Sequence, residues 1–159
     1  MRLRWLLIPI ALLAAPAVAA ADTVSFCVTL NGAQEVPPVA TISSGSGTAS
    51  YDTVARLLTL NIVYFVVSPA FAAHIHGPAA PGENGPRVVA LTLSNPFSGN
   101  ITDVFGPITE DEEADMLSGL WYINIHTDAN QGGEIRGQVV TCPVPVESTT
   151  WGAVKALYR

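Results

Sequence analysis

Between Ala55 and Val67 the sequence reads ARLLTLNIVYFVV, with Leu58, Leu60, Ile62 and Tyr64 in one parity. Side chains alternate sides along an extended strand, so this spacing gathers the apolar residues on one face, whereas a helix would scatter them. The segment is therefore a half-buried strand. Strands are also predicted in TVSFCVTLNG (23–32), GTASYDT (47–53), AFAAHIH (70–76), RVVALTL (87–93), GNITDVFGPI (99–108), LWYINIHT (120–127) and GEIRGQVV (133–140). A tight turn at about Asp52 to Arg56 joins the second strand to the long one. Pro37 and Pro38 cannot donate to a ladder, so EVPPVATISSGSG is a loop or ragged edge, and GPAAPGENGP is a loop with three glycines and three prolines. Only TEDEEADMLSG reads as a helix, with Thr109 as cap, Glu112 at the reciprocal capping position and Gly119 as stop. The pattern predicts an all-β fold, an antiparallel Greek-key-like sandwich or barrel with one short helix. No internal repeat is present.

The first residues bear on compartment. MRLRWLLIPIALLAAPAVAAAD carries Arg2 and Arg4, an apolar run from Trp5 to Leu13, then small residues. That order is a secretory signal peptide, and the run is too short to span a bilayer. The expected organisation is a signal peptide at 1–21, one β domain at 22–142, and a proline-interrupted linker with a C-terminal tail at 143–159. The protein is thus expected to be exported, to the periplasm, the cell surface or the medium, with no stable membrane span. Without the leader, five basic residues face thirteen acidic ones, a formal charge of −8. Such a surface argues against nucleic acid as a partner and leaves a cell-surface or extracellular protein partner open. Cys27 and Cys142 bracket nearly the whole domain, and an exported chain keeps disulfides, so a bridge from the first strand to the end of the last is expected. The tail is expected to add little to domain stability.

Three histidines occur, His74, His76 and His126. His74 and His76 share one strand face while Ala73 and Ile75 take the other, and His126 shares parity with Tyr122 and Asn124. Residues i and i+2 lie roughly 6–7 Å apart, close enough for two imidazoles to reach one ion. If the two strands are neighbours, three nitrogens converge on a mononuclear site suited to copper or zinc. The other reading gives His74 and His76 loop carbonyls near Gly77 as partners and makes His126 a strand-end cap. Glu35, Asn124 and Arg136 are candidate outer groups. Glu35 reads first as a loop anchor, and Arg136 first as the ion-pair partner of Glu134 two residues away. There is no Gly-x-Ser-x-Gly elbow, no cysteine with catalytic companions and no phosphate loop. The acidic run from Glu110 to Asp115 is a solvated helix face rather than a glycosidase pair. An enzyme is therefore not the first expectation.

LNGAQEVPPVAT, AHIHGPAAPGENGP and LWYINIHTDANQGGEIRGQV follow one another in that order. Together they resemble the CHRD domain, named from chordin and found in many exported bacterial proteins, over roughly residues 25 to 141. The resemblance implies an antiparallel β-sandwich in an exported protein, and it defines the biochemical role poorly. A binding role with a mononuclear copper or zinc site is the leading expectation. The alternatives are a metal-free adhesion or matrix module and a copper-dependent redox enzyme. The last rests on a His-x-His strand that resembles the copper site of copper–zinc superoxide dismutase, where an arginine guides the anion; Arg136 would take that part. Three histidines are too few for a bridged two-metal site, so the likeness implies one copper at most.

Overall fold

The computed structural model describes residues 22–143, so the expected leader at 1–21 and all of the tail beyond Pro143 lie outside the described residues. Ten strands form one sheet: β1 (Thr23–Asn31), β2 (Ser44–Asp52), β3 (Leu57–Phe65), β4 (Ala70–His76), β5 (Arg87–Leu91), β6 (Ser98–Ile101), β7 (Val104–Phe105), β8 (Tyr122–Thr127), β9 (Ile135–Gln138) and β10 (Val140–Thr141). The strand order is β5-β4-β8-β9-β1-β2-β3-β6, with β10 on β1 and β7 on β3. Every pairing is antiparallel. The jumps from β4 to β8 and from β9 to β1 are the Greek-key element. A backbone bond from Ala70 to Pro96, and one from Thr92 N to the Asp103 carboxylate, draw the ends of the sheet together into a nearly closed barrel.

Period-two patterning fills the barrel. Phe26, Val28 and Leu30 from β1, Leu58, Leu60 and Ile62 from β3, and Ile123 and Ile125 from β8 are all buried in one core. The β1–β2 and β2–β3 ladders run without a break, from Thr23↔Asp52 to Asn31↔Ser44 and from Ser44↔Phe65 to Asp52↔Leu57. Gly47 permits this, because a Cβ there would lie 2.1 Å from the Asn61 carbonyl oxygen. Cys27 and Cys142 are joined by a disulfide, with Cα atoms 4.9 Å apart, so β1 is tied covalently to the residue after β10.

The helix α1 (Glu110–Leu117) closes one side. Thr109 Oγ1 accepts from Glu112 N at 3.3 Å, and Thr109 N donates back to the Glu112 carboxylate at 2.8 Å, which satisfies two of the donors a helix start leaves free. Gly119, at φ +72°, ends it in the left-handed conformation. Met116 is the residue that α1 buries in the core. Thr109→Ala is expected to lower stability by about 1 kcal/mol, the usual cost of a lost cap. Urea denaturation measures this, and an unchanged midpoint would show that the cap contributes nothing.

The strand β8 is buried on both faces. Its odd residues Ile123 and Ile125 enter the barrel core, while Tyr122 and Asn124 face outward beneath two loops and His126 faces outward against the Gln131 carbonyl. The loops are residues 77–86 and 32–43, which an Asn84 side-chain bond to the Val36 carbonyl joins at 3.1 Å. The outer face of β4, β8 and β9 is therefore a covered polar layer, and it holds the histidines.

Candidate metal centre

Register decides which polar side chains meet. β4 and β8 pair with Ala72↔His126, His74↔Asn124 and His76↔Tyr122. His126 thus lies diagonally across from His74, a neighbour position within reach of long side chains. One ring nitrogen from each of His74, His76 and His126 lies within 4.8 Å of the others. The ring centroids are 5.5 Å apart for His74 and His76, 4.9 Å for His74 and His126, and 5.9 Å for His76 and His126.

Backbone carbonyls set the tautomers. His76 Nδ1 faces the Gly85 carbonyl at 3.1 Å, and His126 Nδ1 faces that of Gln131 at 2.9 Å. A carbonyl only accepts, so both Nδ1 atoms carry hydrogen and both Nε2 atoms present lone pairs. His74 Nδ1 lies 3.0 Å from His126 Nε2 and donates to it. His76 Nε2 is buried and has no partner. A cation among the three rings would satisfy that atom and take the lone pair that His74 now engages. Burial, with a further charge disfavoured by the neighbouring imidazoles of His126 and His76 and by the Arg87 guanidinium, holds His74 down to about 4. Burial likewise lowers His76, against the raising effect of its bond to Gly85. Both rings are neutral at neutral pH, the form a metal needs.

The ring of Tyr122 stacks on His76, 5.2 Å between centroids and 12° from parallel. The Arg136 guanidinium carbon lies 3.5 Å from the centre of the Tyr122 ring. Of the expected outer groups, Asn124 and Glu35 meet each other, Nδ2 to Oε2 at 3.3 Å, and none of their hydrogen bonds reaches a histidine. Glu35 is an anchor for the 32–43 loop. Burial pushes its carboxyl up to about 7, against the lowering influence of Arg136 and the Asn124 bond. Gly133, at φ +135°, allows the contact, since a Cβ there would lie 2.6 Å from Glu35 Oε1 and 2.3 Å from Asn124 Oδ1.

Arg136 differs from expectation. It makes no ion pair with Glu134; it donates to the carbonyls of Glu83 at 2.6 Å and Ala80 at 3.3 Å, and to Gln138 Oε1 at 3.2 Å. Glu134 instead accepts from Ser43 Oγ, from Thr127 Oγ1 at 2.6 Å, from Thr41 Oγ1 at 3.0 Å and from Asn130 Nδ2 at 3.5 Å. Glu134 lies just before β9 and Arg136 within it, and the two side chains reach different loops, which the spacing alone does not reveal. The hydrogen bonds of Arg136 hold the 77–86 loop rather than aim at the imidazoles, which removes the support for an anion-guiding arginine.

Loop carbonyls near Gly77 are expected as partners, but the sequence pattern does not reveal that Gly85 faces His76, that Gln131 faces His126 or that Tyr122 stacks on His76. The parity of Tyr122 with His126 in YINIHT was the available signal for the last. A family model described as CHRD domain matches residues 26–139. Comparison with curated proteins finds no match, and neither does comparison with solved structures.

Proposed function

The chain belongs to the CHRD domain family, and we propose that this member is an exported binding protein that holds one copper or zinc ion on His74, His76 and His126. The observation that carries the reading is the buried, partnerless Nε2 of His76 beside two further imidazole nitrogens. The carbonyls behind His76 and His126 support it, because oriented imidazoles are what a metal site requires of its surroundings. Three neutral ligands leave the ion its full charge and room for a further ligand, so the bound metal would supply a Lewis-acidic centre. Export is supported by the sequence of the first residues and by the disulfide, which suits an oxidising compartment. Among the described residues no helix is long and apolar enough to cross a membrane.

The test uses chelator-treated full-length protein titrated with copper(II) and with zinc(II). Binding at one equivalent is expected, with a raised melting temperature worth about 2.7 kcal/mol at a hundredfold excess over Kd. His76→Ala should lose most of the affinity, and Asn124→Ala much less. Absence of saturable binding, or an equal response in the two variants, returns the histidines to partners of loop carbonyls. The domain would then be a metal-free interaction module.

A further inference from the structure

A second recessed site lies on the same polar layer, against β9. A pocket of about 360 Å³ opens between the 32–43 loop and the 77–86 loop, a volume at the small end of the range for small-molecule sites. Ala33, Val36, Pro38 and Pro81 give it apolar walls. None of the three histidines lines it.

Two side chains of opposite charge also line this pocket, Glu35 at 5 % exposure and Arg136 at 1 %. They do not pair: among the described residues the ion pairs are those of Arg56. Glu35 Oε2 accepts from Asn124, and Oε1 is buried with no partner. The bonds of Arg136 to Glu83, Ala80 and Gln138 account for three of the five N–H groups of a guanidinium. The other polar walls are engaged with the protein, Gln34 with the Thr29 carbonyl and the Gln138 amide, and Gln138 with the carbonyls of Ala79 and Gly119.

Arg136 and Glu35, whose carboxyl burial pushes up to about 7, line one pocket without touching, and a buried charge of either sign is costly unless something compensates it. A lone amine would match Glu35 and be repelled by Arg136. A lone carboxylate would match Arg136 and be repelled by Glu35. A zwitterion answers both. We propose that the pocket binds a free α-amino acid with an apolar side chain. Its ammonium donates to Glu35 Oε1, its carboxylate faces Arg136, and its side chain lies on the walls of Ala33, Val36, Pro38 and Pro81. This site stands independently of the metal reading.

The experiment is calorimetric titration of L-leucine into chelator-treated full-length protein, so that chelation by a bound metal plays no part. Isocaproate, which lacks the ammonium, and isoamylamine, which lacks the carboxylate, are the comparison probes. Leucine is expected to bind at one equivalent, and each comparison probe at least about tenfold more weakly, a difference of about 1.4 kcal/mol. Glu35→Gln should weaken leucine by a similar factor. Ala33→Trp, at an exposed rim position, should block leucine while the melting temperature and the metal titration stay as in the wild type. His76→Ala should bind leucine as the wild type does. Lack of saturable leucine binding, equal binding of the three probes, or loss of leucine binding in His76→Ala would overturn the proposal.

Discussion

Replacing Cys27 and Cys142 together by serine should lower the stability of the domain by about 4–5 kcal/mol. The two residues are 115 apart in sequence, so the bridge closes a loop nearly as long as the described domain. In the loop-entropy account the folded chain changes little, while the unfolded chain regains the freedom that closure removed. For a domain whose total stability is of order 5–15 kcal/mol, that loss decides whether it stays folded at 37 °C. Urea denaturation of the double variant against the oxidised wild type measures it. A loss below about 1 kcal/mol would mean that native strain offsets the entropic gain.

Glu134→Ala is expected to be nearly as damaging, by about 3–5 kcal/mol. The carboxylate is fully buried and gathers the hydroxyls of Thr41, Ser43 and Thr127, so its removal strands several donors at once. The sign of the pH effect follows from its titration. Burial alone would raise its pKa, but the bonds from Ser43, Thr127, Thr41 and Asn130 outweigh that and lower it from the ordinary 4.5. A carboxyl depressed in the folded state stabilises above its unfolded value and loses that contribution as pH falls through its folded value. Below about pH 4.5 the wild type should therefore lose stability relative to Glu134→Gln, which has no such titration. Glu35 acts with the opposite sign. Raised to about 7, it stabilises fully below 4.5 and loses that contribution as pH rises through 7. His74, lowered to about 4, erodes stability as pH falls from 6.5. Comparing the wild type with Glu134→Gln at each pH cancels both. Parallel stability curves for the two proteins would remove the assigned role of Glu134.

Local rules made much of this legible. The parity of Leu58 through Tyr64 marked β3, Thr109 and Glu112 marked the start of α1, and the cysteine pair marked the covalent closure. His74 and His76 on one face followed from the strand period. What escaped depends on contacts between distant segments. That His126 meets His74 requires β8 to pair with β4, a choice among several strands of similar composition. Glu134 and Ser43 are 91 residues apart, and nothing in either loop announces the other. β7, with only Val104 and Phe105, is too short for any periodicity to show.

The two-sided burial of β8 separates the barrel's framework from the polar layer that carries the histidines. Ile123 and Ile125 belong to the barrel, and Tyr122, Asn124 and His126 to the layer above it, so six consecutive residues encode two programmes read in alternate letters. A pairing slip of one residue would exchange imidazole for isoleucine on both sides at once, which fixes the register from each direction. Substitution at the even positions leaves the barrel's hydrophobic contacts intact. The scaffold can therefore exchange one set of polar side chains for another without having to reinvent its fold.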